Sequence, residues 1–160
     1  MAALVFACAS TGRAQIKVGD VFPPLAAAGL AGEAPPALAG KVALIDFWAS
    51  WCAPCKASFP VYSRLQTDLA SSGLVVIAIS IDERPADYAA FVQKMRPTFA
   101  VAHDVKQALV KVVQVPAMPT CYLVDRSGHV RFVHAGFHSG TTEALIRREI
   151  GTLLAEPASL

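Results

Sequence analysis

Cys52 and Cys55 are the residues whose type and spacing most directly indicate chemistry, because only two residues separate them. Two thiols at this spacing can form a structural disulfide, act as a redox pair or supply half of a zinc site. The other two cysteines, Cys8 and Cys121, stand alone in the sequence. The sequence therefore contains one candidate site, and its context decides between redox chemistry and metal binding.

A tetrahedral zinc site would need further ligands at short spacing. No second cysteine pair occurs, and no histidine pair shows ligand spacing. The histidines are His103, His129, His134 and His138. The number of ligands therefore argues against a metal site, and we expect no cofactor beyond a redox-active Cys52–Cys55 disulfide.

Two apolar, β-branched runs, 41–49 and 74–81, flank the cysteine pair. Their nearly continuous apolar pattern is typical of strands buried on both faces in a parallel sheet. Between them, residues 53–70 carry apolar residues at helical spacing, interrupted by Pro60, which predicts a kinked helix. Strand, helix and strand in this order predict a βαβ unit with a right-handed crossover.

The cysteine pair falls where the first of these strands ends and the helix begins. A helix N-terminus offers unpaired N–H groups and about half a unit of positive charge, and both stabilise a thiolate. Pro54 fits the first turn, where its missing N–H would have no partner, and it stiffens the loop. This arrangement predicts Cys52 as the nucleophile and Cys55 as the resolving thiol.

The rest of the chain continues the alternation of strands and helices and contains no internal repeat. A Pro-, Gly- and Ala-rich segment, 18–40, predicts a short, irregular β-hairpin ahead of the first buried strand. Further helices are predicted over 85–95, 105–113 and 141–154, and further strands over 99–102, 121–124 and 130–134. The predicted fold class is α/β.

Residues 46–56 read DFWASWCAPCK and resemble the active-site signature of the thioredoxin family. Three further segments are similar to the exported TlpA/ResA-like branch of that family. They are Val18-Gly19-Asp20, Gly40-Lys41 and Ser58-Phe59-Pro60. The resemblance covers about residues 18–155. It implies a single thioredoxin-like domain over 16–160, with the N-terminal hairpin and a helix-strand insertion at 85–102.

This family carries a cis-proline that faces the active-site disulfide, and Met118-Pro119-Thr120 matches it, with Pro116 as the competing position. The resemblance implies that Pro119 shields the sulfurs and exposes the backbone of Met118 for pairing with a substrate strand. The residues it places against substrate are Trp51, Ala53, Pro54, Met118 and Thr120.

Many ResA-like members have a glutamate three residues after the second cysteine, where this chain has Ser58. A hydroxyl titrates too high to act as a base near neutral pH. Asp46 instead matches the buried aspartate of ordinary thioredoxins, and its apolar neighbours favour burial, which would raise its pKa. We therefore expect Asp46 to accept the proton of Cys55, whereas Cys121 should be a buried, inert thiol.

The composition places the chain among single globular domains, since it has 160 residues of which 54% are hydrophobic and 16% charged. A net charge of +2 without a basic cluster argues against binding to nucleic acid. No apolar run reaches the roughly 18 residues of a membrane-spanning helix.

Residues 1–15 join a short apolar run to small residues and resemble the end of a secretory signal, although no positive charge precedes the run. A lipid anchor on Cys8 is the weaker alternative. Together with the family resemblance, this leader predicts export to the periplasm or cell envelope.

The resemblance implies a thiol-disulfide oxidoreductase that reduces protein disulfides, for example in cytochrome c maturation, with electrons from a membrane thiol carrier. Two alternatives stay open. A peroxidase of the peroxiredoxin type would carry a threonine at the position of Ala49. A copper-delivery protein of thioredoxin fold would have a wider cysteine spacing and a partner histidine.

Overall fold

A computed structural model describes residues 15–157, which form a six-stranded mixed β-sheet with apolar clusters on both faces. The strands are β1 (Ala31–Gly32), β2 (Val42–Trp48), β3 (Leu74–Ser80), β4 (Ala100–His103), β5 (Thr120–Val124) and β6 (Val130–Ala135). The helices are α1 (Ala53–Leu69), α2 (Pro85–Met95), α3 (Ala108–Val113) and α4 (Thr141–Ala155), with 3₁₀ turns at Leu25–Ala27 and Ala70–Ser72.

The sheet order is β1-β4-β3-β2-β5-β6. Strands β2, β3 and β4 run parallel, whereas β1, β5 and β6 pair antiparallel with their neighbours. The predicted βαβ unit is therefore β2-α1-β3, and the predicted insertion is α2 followed by β4. Because β2 is central and buried along its whole length, its carboxyl end places the residues that follow it at one edge of the sheet.

Alternate residues of β2 face two different apolar layers, as expected from the period of two in a strand. Leu44 and Trp48 pack on the side of α1, α2 and α4, in a cluster that also contains both Cys52 and Cys55. The intervening residues pack on the opposite side, against α3 and the N-terminal segment. The active-site cysteines are thus anchored in the larger of the two layers.

The predicted N-terminal hairpin is wrong. Val21 bridges His129 beside β6, whereas Ala31–Gly32 pairs with β4 at the opposite edge of the sheet. The two halves of the segment pair with different sheet edges because those edges present unpaired backbone groups. The proline pairs of the segment have no N–H groups with which to form a ladder of their own.

The other predicted elements form with shifts of a few residues at their ends. Pro60 lies inside α1, as predicted. Within residues 15–157, no helix combines the length and apolar character needed to cross a membrane. The predicted leader 1–15, with Cys8, lies almost entirely outside the described residues and stays a prediction.

Candidate active site

Cys52 and Cys55 are joined by a disulfide, with their Cα atoms 5.3 Å apart, at the point where α1 begins. Cys52 is the N-cap residue of α1, and its Sγ accepts a hydrogen bond from the backbone N–H of Cys55 at 3.2 Å. Pro54 lies in the first turn of the helix. The sulfur of Cys52 therefore occupies the position of an N-cap acceptor, where an anion is stabilised by N–H groups and by the helix dipole.

The surroundings of the disulfide are asymmetric. Cys55 is completely buried, whereas Cys52 retains 4% of its surface. Trp51, Ala53 and Pro54 are exposed next to it, and Trp51 has 69% of its surface open to solvent. Of the two cysteines, only Cys52 thus retains accessible surface, and the neighbouring exposed surface carries a large aromatic ring.

The peptide bond between Met118 and Pro119 is cis, as the family resemblance implied, and Pro116 lies earlier in the segment between α3 and β5. Because Thr120 pairs with Phe47 in the antiparallel β2/β5 ladder, this loop lies at the same sheet edge as the disulfide. Met118 packs against the cluster that contains both cysteines.

The cis-proline loop is fixed at one end and open at the other. The carbonyl of Pro119 accepts from the N–H of Gly136 at 2.7 Å, and the buried Thr120 hydroxyl donates to the carbonyl of Ala117 at 2.8 Å. In the described part of the chain, the backbone N–H and C=O of Met118 make no hydrogen bond. An extended segment of another protein could pair with them.

Asp46 is buried in the middle of β2 on the face toward α1. Its Oδ1 accepts a hydrogen bond from the hydroxyl of Tyr62 at 3.2 Å, and its Oδ2 has no partner among the described residues. Burial raises the pKa of Asp46 well above its ordinary value, and the hydrogen bond from Tyr62 opposes this rise only in part. Asp46 is therefore poised to hold a proton that an exposed aspartate would release.

Tyr62 is a site residue that the sequence did not reveal, since its position on the inner face of α1 also suits a plain core residue. It lies two turns after Cys55 on α1, and helical side chains lean toward the N-terminus. Its hydroxyl therefore extends back toward the turn that holds Cys55. Burial and the nearby Asp46 carboxylate raise the pKa of Tyr62, which keeps the hydroxyl protonated as a donor.

Cys121 lies directly opposite Asp46 in the β2/β5 ladder and is a free thiol. It is buried, as predicted. Burial, and secondarily the charge of Asp46, raise the pKa of the Cys121 thiol well above its ordinary value. A thiol in this state is a poor nucleophile, so its predicted inertness is consistent with its environment.

Ser58 is buried, and its hydroxyl donates to the carbonyl of Cys55 at 3.0 Å. It therefore serves the backbone of the first turn of α1. A second group that the sequence did not reveal is a buried aspartate, Asp82, which follows β3 and binds the loop before Cys52. The signal available was its position, because the carboxyl ends of the parallel strands β2 and β3 meet at one edge of the sheet.

No group of three or more His, Cys, Asp or Glu side chains within residues 15–157 is arranged to hold a metal ion.

A cavity of 530 Å³ is lined by the N-terminal segment and the β5–β6 turn, away from the disulfide. A groove of 240 Å³ lies beside Trp51 and is bordered by the segment 81–84. This groove therefore adjoins Trp51, the residue directly before Cys52.

Comparisons with known proteins agree with this geometry. The sequence profile of the AhpC/TSA family matches residues 18–133. Thiol-disulfide oxidoreductase ResA of Oceanobacillus iheyensis is 29% identical over 145 residues, which cover 85% of this chain and 76% of that protein. ResA of Bacillus thuringiensis is 32% identical over 93 residues, 58% of this chain and 54% of the relative, so the match spans about half the length of that relative.

Among solved structures, a candidate DsbE thiol:disulfide interchange protein from Chlorobium tepidum superposes with a TM-score of 0.81 at 32% identity. The match covers 88% of this chain and 100% of that chain. It confirms the predicted thioredoxin-like α/β fold.

Proposed function

The chain belongs to the AhpC/TSA family and is a thiol-disulfide oxidoreductase of the ResA/DsbE type, and from this premise we propose that it reduces protein disulfides in the bacterial cell envelope. The observation that carries the proposal is the Cys52–Cys55 pair at the start of α1, beside an exposed tryptophan and an unpaired stretch of backbone at Met118. This surface suits an extended polypeptide better than a small molecule.

The reaction starts from the dithiol form. The Cys52 thiolate attacks one sulfur of the substrate disulfide, so that a Cys52–substrate disulfide forms and the other substrate sulfur leaves as a thiolate. Cys55 then loses its proton and attacks the sulfur of Cys52, which releases the second substrate thiol. Two electrons pass to the substrate, and the enzyme is left as the Cys52–Cys55 disulfide.

Asp46 is the proposed base for the second step. Met118 and Trp51 form the proposed substrate edge, and the buried Pro119 and Thr120 hold Met118 in place. Asp46 lies on the sheet face toward α1 and keeps one oxygen without a partner among residues 15–157, which leaves room for a proton. A positioned base supplies about 10²- to 10⁴-fold in such a step.

The proposed direction of electron flow rests on the residues between the cysteines. Ala53 and Pro54 bring neither a charge nor a histidine to the Cys52 thiolate. Weak stabilisation of the thiolate favours the disulfide form and hence a reducing pair. The cycle needs no cofactor beyond the pair itself, and a membrane thiol carrier is the proposed electron donor.

Equilibration with glutathione buffers tests this direction. We expect a reduction potential near that of thioredoxin, about −270 mV, and a value near that of DsbA, about −120 mV, would reverse the proposed role. The Cys121→Ala variant is the matched control, because it retains the Cys52–Cys55 pair and removes the free thiol nearest to it in the folded domain.

The cell-envelope location is supported by the ResA relatives and by the leader-like residues 1–15. Cytochrome c maturation is the proposed pathway for the reduced disulfides. Labelling of intact cells with a membrane-impermeant thiol reagent tests the location, since an exported protein would be labelled at Cys52 without lysis.

The peroxidase alternative lacks a residue that it requires. Such an enzyme would have a threonine hydroxyl where this chain has the buried Ala49.

A further inference from the structure

The loop that carries the cysteine pair is tied to a buried carboxylate outside the catalytic pair. Asp82 is 2% exposed and follows strand β3. Its Oδ1 accepts from the backbone N–H of Ser50 at 3.0 Å and from the Ser50 hydroxyl at 2.7 Å. Its Oδ2 accepts from the hydroxyl of Ser80 at 2.8 Å. Ser50 lies two residues before Cys52, so these bonds reach the reactive loop itself.

The backbone of Asp82 is itself held in place by neighbouring side chains. Its own N–H donates to the Ser80 hydroxyl at 3.0 Å, and its carbonyl accepts from Nε2 of the buried His103 at 2.6 Å. The ring of His103 stacks on Tyr88, with 4.8 Å between the centroids. The neighbouring Ile81 donates its N–H to the carbonyl of Trp48 at 2.9 Å. The carboxylate therefore sits on a rigid support that joins the ends of β3 and β4.

This arrangement connects to the chemistry of Cys52 by geometry. The Cys52 sulfur is stabilised as an anion only while it occupies the N-cap position of α1, where it accepts the N–H of Cys55. The backbone immediately before the cap sets that position. Trp51, the residue between Ser50 and Cys52, is largely exposed and does not anchor the loop in the core.

We propose that Asp82 is a positioning residue for the redox reaction, which holds the loop 50–52 so that the sulfur of Cys52 stays at the N-terminus of α1. This inference rests on the proposed role of Cys52 as the nucleophile. In this role Asp82 acts through Ser50, without bonding to either sulfur and without taking part in proton transfer.

If Asp82 acted instead as a nearby negative charge, its removal would change the reaction rate of Cys52 in the opposite direction. Removing a negative charge near a thiol favours the thiolate and would make Cys52 react faster. Removing a support lets the sulfur leave the N-cap and would make it react more slowly. The charged side chains around the loop come from β2, α1, the segment after β3 and the first turn of α2: Asp46, Lys56, Asp82, Glu83, Arg84 and Asp87.

The test is the rate of Cys52 alkylation by iodoacetamide in the reduced full chain, followed by mass spectrometry across about pH 5 to 10. For Asp82→Asn we expect about a threefold slower reaction near neutral pH and a midpoint displaced to higher pH, in line with the worth of a helix N-terminus to an anion. Ser50→Ala removes the hydrogen bond from the Ser50 hydroxyl to Asp82 and leaves the charge of the site unchanged. It should slow the alkylation of Cys52 as well, but by a smaller factor.

Asp104→Asn is the matched control. Asp104 is equally buried and also follows a strand, but its oxygens accept from the N–H groups of Ala108 and Val110 at the start of α3. This variant should leave the Cys52 profile unchanged. Alkylation of Cys121 reports folding in each sample, because it rises only when the core opens.

An unchanged or faster rate in folded Asp82→Asn and Ser50→Ala would overturn the positioning role while leaving the proposed function intact. If Asp82→Asn does not fold, Ser50→Ala alone shows whether losing this support slows or speeds the alkylation of Cys52. A wild-type Cys52 that reacts no faster than Cys121 would instead contradict the proposed function.

Discussion

Two buried aspartates, one within β2 and one just after the neighbouring strand β3, have sharply different surroundings. Asp46, in β2, receives one hydrogen bond, from Tyr62, and one of its oxygens has no partner within residues 15–157. Asp82, after β3, receives bonds from Ser50 on both of its oxygens and a further one from Ser80. Both are nearly inaccessible to solvent, so burial alone does not distinguish them.

The difference shows how one residue type serves two purposes. A buried carboxylate whose oxygens all accept hydrogen bonds is held in one orientation and acts as a rigid anchor. A buried carboxylate with one oxygen that accepts no hydrogen bond is more stable in its protonated form. It can release or accept a proton when the charge of a neighbouring group changes. Asp46 therefore suits proton transfer to and from Cys55, and Asp82 suits positioning.

The largest expected effect comes from removing the attacking sulfur of Cys52. Cys52→Ser should lower disulfide reductase turnover more than about a thousandfold, because the attacking thiolate is gone. Cys55→Ser should instead retain the first attack and accumulate a mixed disulfide on Cys52. Insulin reduction and mass spectrometry of the trapped species measure both results. Accumulation of the adduct on Cys55 in the Cys52→Ser variant would reverse the assigned roles.

Asp46→Asn should lower turnover at least about tenfold near neutral pH, toward the low end of what a positioned base supplies. Because burial raises the pKa of Asp46, the wild-type rate should climb with pH as Asp46 loses its proton. The asparagine variant should lack that climb. A pH profile of turnover for both proteins checks this, and an identical profile would reduce Asp46 to a structural residue.

Tyr62→Phe removes the hydrogen bond that lowers the pKa of Asp46 and should therefore raise that pKa further. The midpoint of the climb in rate should move to higher pH, with turnover about threefold to tenfold lower near neutral pH, the range expected for the loss of one ordinary hydrogen bond of about 0.5–1.5 kcal/mol. The same pH profile measures the shift. A midpoint displaced to lower pH would show that Tyr62 does not stabilise the Asp46 carboxylate.

Cys121 should contribute least, although it lies directly opposite Asp46. Its buried thiol should react with iodoacetamide far more slowly than Cys52 in native reduced protein. The Cys121→Ala variant should retain turnover within about twofold, since a free buried cysteine acts as a small apolar residue. Equal alkylation rates at Cys121 and Cys52 would indicate a third redox cysteine.

Much of this site could be predicted because its signals are local in the sequence. The Cys52–Cys55 spacing, the strand before it and the helix after it are contiguous, and Met118-Pro119-Thr120 reads as one motif. The cis bond at Pro119 and the burial of Asp46 and Cys121 were confirmed. The pattern of buried strands likewise predicted the β2-α1-β3 unit, and the family resemblance implied the α2-β4 insertion.

The parts that escaped prediction depend on contacts between distant residues. Tyr62 reads as an ordinary apolar position of α1, and only the packing of α1 on β2 brings its hydroxyl to Asp46. The bonds between Asp82 and Ser50 join residues 32 positions apart across two strand ends. The N-terminal hairpin failed for a similar reason, because the segment found better partners at the two sheet edges than within itself.

The measurement that tests the comparison most directly is a single turnover by stopped flow, in which acid quenching and alkylation trap the Cys52 mixed disulfide. We predict that Asp46→Asn forms this adduct at nearly the wild-type rate and resolves it at least about tenfold more slowly. Asp82→Asn should form it more slowly and resolve the adduct that does form at nearly the wild-type rate. If both variants slow the same step, or if Asp46→Asn resolves the adduct as fast as the wild type across about pH 6 to 8, the assignment of one aspartate to proton transfer and the other to positioning is contradicted.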